Sequence, residues 1–68
     1  MGKMTLAAAR VNKGLTQKSA AKHLKISNKT LSSWENGTTY PKSIYIDAIC
    51  DLYECSYEDI IFLNRNPL

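Results

Sequence analysis

Three residues, Lys25, Ile26 and Ser27, separate two segments that each read as a short helix, and a connection that brief suits a sharp corner between them. The first segment runs from Thr16 to about Leu24. Its Ala20, Ala21 and Leu24 are spaced to share one inward face, and Thr16 is its N-cap. The second runs from about Asn28 to Asn36, with Ser27 as N-cap and Leu31 and Trp34, three apart, on the buried stripe. Ser32 and Ser33 then face out. The outer surface of the second helix is small, polar and basic.

Other elements are expected around this corner. From about Lys3 to Lys13 the chain is alanine-rich and helical by propensity, with Leu6 and Ala9 inward and Gly14 as the stop. Asn36-Gly37 could mark a hairpin, but no alternating strands flank it, so a helix end followed by the loop Thr38 to Pro41 is the better reading. A fourth helix spans Ser43 to about Tyr53, with Ile46, Ile49, Cys50 and Tyr53 inward and Asp47 and Asp51 in water. Ser56 caps a fifth, short helix through Ile61 or Phe62, with Asp59 in capping-box position. The whole is one domain, 1–68, with a core of 3–62 and a tail of 63–68.

Charge is segregated along the chain. Residues 1 to 42 carry eight basic side chains against Glu35 alone, whereas residues 43 to 68 carry five acids against Arg65, for a net charge of +3. Such a division presents a positive face to a polyanion and keeps the other end away from it. No stretch approaches a membrane span, and the apolar run after Lys3 is broken by Arg10, too short for a signal peptide. A cytoplasmic protein is expected, with Cys50 and Cys55 reduced. One histidine and no CxxC pair argue against zinc, and no cofactor is expected. Catalysis is not expected either, because the chain offers one histidine and its acids other than Glu35 are confined to a solvated helical end.

Taken in order, Leu6, Arg10, Gly14-Leu15-Thr16-Gln17, Ala21, Leu24, Ile26, Ser27, Leu31, Trp34-Glu35-Asn36-Gly37, Pro41, Ile46, Ile49, Tyr53, Ser56 and Ile60 resemble the Cro and phage-repressor type helix-turn-helix family. The resemblance covers residues 6 to 61. It implies an all-α, compact five-helix lambda-repressor-like domain whose second and third helices form the helix-turn-helix of a DNA-binding regulator. Two positions depart from the family's pattern. Lys25 stands where the turn usually has Gly in a left-handed conformation, and Glu54 replaces the Gly that commonly ends the fourth helix.

In this motif the start of the second helix of the pair enters the major groove. Base reading is therefore expected from Ser27, Asn28, Lys29, Ser32 and Ser33. Asn28 can bond adenine through both faces of its amide, and Lys29 can donate to guanine acceptors. The resemblance implies phosphate contacts at Gln17, Asn36, Thr39 and Lys42, with Lys18 and Lys25 adding positive charge. It also implies a partly buried ion pair between Arg10 and Glu35, the only acid in the first 42 residues.

A chain of 68 residues buries a thin core, so a homodimer on a palindromic operator is expected. Tyr40, Pro41, Tyr45, Tyr57, Phe62 and Leu63 are the candidate contact. The sequence thus points to a repressor of transcription. A protein-interaction module of antitoxin-like or adaptor type is the rival reading, and an antirepressor or other protein partner is compatible with either.

Overall fold

The computed structural model describes residues 3–62. In chain order it comprises β1 (Met4–Thr5), α1 (Leu6–Asn12), α2 (Gln17–Leu24), α3 (Asn28–Asn36), α4 (Ser43–Tyr53), a 3-10 turn (Tyr57–Asp59) and β2 (Ile60–Ile61). No helix among the described residues is long and apolar enough to cross a membrane.

Three helices start on hydroxyl caps. Thr5, Thr16 and Ser27 each sit in extended backbone and accept from the amide three residues on, at 3.1, 3.0 and 3.0 Å. Each bond satisfies one of the open amides of a first turn, which is why these residue types begin helices.

All four helices end the same way. A residue at positive φ turns the chain back: Gly14 (79°), Lys25 (60°), Gly37 (81°) and Glu54 (54°). The next residue then donates to a carbonyl five positions earlier: Leu15 to Arg10, Ile26 to Ala21, Thr38 to Ser33 and Cys55 to Cys50, at 2.9 to 3.2 Å. Glycine adopts this conformation freely. At Lys25 and Glu54 a Cβ crowds the following carbonyl, a cost of about 1 kcal/mol each.

The expectation of five helices is corrected at both ends. Helix α1 begins at Leu6 rather than Lys3, because Thr5 is spent as its cap and Met4–Thr5 pairs in parallel with Ile60–Ile61, Met4 opposite Ile60. The expected fifth helix is one 3-10 turn. Asp59 accepts from the Ser56 amide at 3.1 Å, but the adjacent β-branched pair Ile60–Ile61 goes extended and finds a strand partner in β1. Among the described residues the fold is four α-helices, one 3-10 turn and a two-residue parallel ladder.

The core is built from Leu6 and Ala9 of α1, Ala20, Ala21 and Leu24 of α2, Leu31 and Trp34 of α3, Ile49 and Tyr53 of α4, and Ile60 of β2. Leu31, Ile49 and Ala20 are sealed from solvent entirely. Ala20 and Ala21 bring little side-chain bulk to the buried face of α2, which lets that helix pack closely in the core. Truncating Leu31 to alanine falls in the range of about 2–5 kcal/mol for such deletions.

Candidate nucleic-acid interface

The first turn of α3 stands open. Asn28 and Lys29 are exposed, and no hydrogen bond or ion pair within the described residues occupies their side chains. Ser32 and Ser33, one turn on, are half-buried, and Asn36 donates to Ser32 Oγ at 3.4 Å. At helical spacing Asn28, Ser32 and Asn36 make one file and Lys29, Ser33 and Asn36 its neighbour. Leu31 and Trp34 point the other way into the core. Ser27 differs from the rest of the candidate set: its hydroxyl accepts from Thr30 N–H at 3.0 Å and donates to Thr30 Oγ1 at 2.8 Å. Its donor is engaged in the cap.

Behind this face lies a charged junction of three helices. Arg10 of α1 reaches Glu35 of α3 side-on, Nε to Oε2 at 2.8 Å and Nη2 to Oε1 at 3.4 Å. Its remaining Nη1 donates to Leu15 O at 2.8 Å. Gln17, at the start of α2, donates Nε2 to Glu35 Oε1 at 3.0 Å. A carboxylate only accepts, so the amide nitrogen of Gln17 must face it. The pair is nearly dry, with side-chain exposures of 14% for Arg10 and 6% for Glu35. Charges this deep require full hydrogen bonding, which Leu15 O and Gln17 help to supply.

Gln17 was expected to present its side-chain amide outward. One amide hydrogen is instead committed to Glu35, leaving the second, and the backbone N–H groups of the first turn of α2, for any anion. Lys18 is exposed beside it, and Asn36, Thr39 and Lys42 are exposed after α3. Lys42 takes the N-cap position of α4 without capping it through its side chain, so the ammonium is free to reach outward. Lys25 lies apart from Gln17 and Lys18. It occupies the far end of α2, about 12 Å along the helix axis, next to Ser27 and Asn28.

The aromatic candidates divide. Tyr40, Tyr57 and Phe62 form a stack, with Phe62 5.3 Å from Tyr40 and 5.7 Å from Tyr57 between ring centroids. Tyr40 and Tyr57 remain more than half exposed, and their hydroxyls share a hydrogen bond at 3.5 Å. That bond, and then partial burial, raise the Tyr40 pKa above its ordinary value. Two further candidates are less open. Pro41 is buried, and Tyr45 is half-buried with its ring 5.3 Å from that of Trp34, so both have packing roles inside the chain. Leu63 lies outside the described residues.

Two relations had no sequence signal. Tyr53 is 4% exposed, and its hydroxyl is buried without a hydrogen-bond partner among the described residues. Burial, and then the Glu35 carboxylate, push its pKa up to about 12, with Arg10 opposing the rise. Lys13 and Glu54 form an exposed ion pair that ties the end of α1 to the end of α4. Both relations join residues far apart in the chain, where local pattern carries no information.

The arrangement is a two-helix corner whose second helix offers a polar, basic, unobstructed leading turn, with exposed lysines on its flanks. Comparison with curated proteins gives no match. A helix-turn-helix family model matches residues 6–60, a span that takes in every helix of the fold. The chain therefore belongs to the Cro/C1-type helix-turn-helix (XRE) family of DNA-binding transcription regulators.

Proposed function

We propose that the chain is a sequence-specific repressor that binds a palindromic operator as a homodimer, with α3 in the major groove. The observation that carries this reading is the open first turn of α3, where Asn28 and Lys29 project from a helix whose opposite face is locked into the core. A side chain reads bases well only if its backbone does not wander, and the junction of Arg10, Gln17 and Glu35 braces both helices of the corner. Asn28, Lys29 and Ser33 read base edges. Ser32 assists, and Ser27 chiefly positions them. Gln17, Lys18, Asn36, Thr39 and Lys42 engage phosphates, which fixes register without reading sequence, and Lys25 adds charge at the corner.

The exposed stack of Tyr40, Tyr57 and Phe62 supplies the twofold contact. Two copies so joined place their α3 helices about 34 Å apart, in successive major grooves on one side of the duplex. Repression then follows from occupancy of a promoter, with no chemical step. The same stack is the observation that favours the rival interaction module, since exposed aromatics also suit a different protein.

Selection of bound duplexes from a random pool at two salt concentrations tests the proposal. A palindromic consensus with half-sites one helical turn apart is the expected result. Retention without any consensus, or no retention at low salt, overturns it in favour of the interaction module.

A further inference from the structure

The end of α4 sets the chain's two cysteines against each other. In helix ends of this form, the residue after the left-handed position donates to the carbonyl five residues earlier, and the side chains of those two residues commonly meet. At α1, α2 and α3 the pairs are Arg10 with Leu15, Ala21 with Ile26, and Ser33 with Thr38. At α4 the pair is Cys50 with Cys55. The Cys55 amide donates to Cys50 O at 3.1 Å, which holds the two cysteine backbones together, and each thiol influences the pKa of the other. Both are free, half-buried and packed against the core. Cys55 also lines an open cleft of about 320 Å³ bordered by Met4, Asn12, Lys13 and Glu54, so a small reagent can reach it.

We propose that Cys50 and Cys55 form a reversible internal disulfide, with low-molecular-weight disulfides such as oxidised glutathione as the oxidant. The Cys55 thiolate attacks one sulfur of the reagent, breaking its S–S bond, and the departing thiolate takes up a proton. The Cys50 thiol then gives its proton to water and attacks the Cys55 sulfur. That second step expels the other half of the reagent as a thiolate, which is protonated in turn. The protein loses two electrons and two protons, and one small disulfide becomes two small thiols.

The surroundings make the exchange slow at neutral pH. Burial, then the carboxylates of Asp47, Asp51 and Asp59, raise the Cys50 pKa. Burial, Cys50 itself and Asp59 raise that of Cys55. Lys13 brings an ammonium to the cleft, but Glu54 neutralises it. The thiolate fraction is therefore small until the solution is alkaline. Once formed, the bond ties the last turn of α4 to the segment that carries Tyr57 and β2, and it leaves the first turn of α3 untouched.

The test equilibrates the full chain with reduced and oxidised glutathione at mildly alkaline pH, once folded and once in concentrated urea, then blocks free thiols and reads the mass. The expected product is a monomer two hydrogens lighter, with an effective thiol concentration at least about tenfold higher folded than unfolded. By the same linkage, the oxidised protein melts roughly 5 °C or more above the reduced one. Cys50→Ala should stop at a glutathione adduct on Cys55. An effective concentration no greater in the folded chain, a wild type that also stops at the adduct, or disulfide-linked dimers in place of the internal bond would overturn the proposal.

Discussion

The guanidinium of Arg10 lies side-on to the carboxylate of Glu35, 2.8 Å from Nε to Oε2, and joins the first helix of the chain to the last turn of α3. Removing one partner leaves the other charged, buried and short of bonds, which costs far more than the intact pair contributes.

Glu35→Ala is expected to lower stability by about 3 kcal/mol, the lower end of the range for breaking a buried pair. Asp51→Ala, on an exposed site, should change it by less than about 0.5 kcal/mol. Urea unfolding of the two variants checks this, and equal midpoints would remove the argument that the pair braces the corner.

Asn28→Ala is expected to weaken operator binding by about 1–3 kcal/mol, mainly through one base position. Lys42→Ala should weaken binding to all duplexes alike and reduce the log–log salt slope by roughly one. Titrations against the selected consensus and its single-base variants, over a salt series, separate the two behaviours.

Lys25 holds φ at 60° in the turn between α2 and α3. Lys25→Gly should therefore stabilise the fold by up to about 1 kcal/mol, less the added freedom of glycine in the unfolded chain. Lys25→Val should destabilise it, because a β-branched side chain fits that conformation worse. The pair of melting curves distinguishes strain at this backbone position from any effect of losing the charge, which both variants share.

Tyr53→Phe deletes a buried hydroxyl that has no partner among the described residues, so at neutral pH it should leave stability unchanged or raise it by about 1 kcal/mol. The pH dependence carries a sign. With a folded pKa of about 12 against an ordinary 10.0, folding favours the protonated phenol. That contribution is intact below pH 10 and is lost as pH climbs toward 12. Between those values the wild type should lose stability faster than Tyr53→Phe, a comparison in which the raised Tyr40 is common to both.

Local signals were enough to mark out the corner. Thr16 and Ser27 cap α2 and α3 at the positions their hydroxyls suggest, and Lys25 and Glu54 take the left-handed positions that the family resemblance assigns to glycine. Each of these depends on residues within one helical turn. The ladder between Met4–Thr5 and Ile60–Ile61 was not legible, because two short stretches at opposite ends of the chain reveal their match only once the core has formed. Ser27 and Gln17 belong to the same class of surprise. Residue type advertises a polar group free to bind a partner, while the folded neighbours Thr30 and Glu35 decide how much of it is left. Tyr45 reads as surplus surface for the same reason, with its partner Trp34 eleven positions earlier in the chain.

That clasp between Met4–Thr5 and Ile60–Ile61 is connected through α1 to α3. Thr5 pairs with Ile61 and is also the hydroxyl that starts α1, and α1 carries the arginine that steadies Glu35. The strand furthest along the described chain and the helix that carries Asn28 and Lys29 are thus held by one continuous set of contacts.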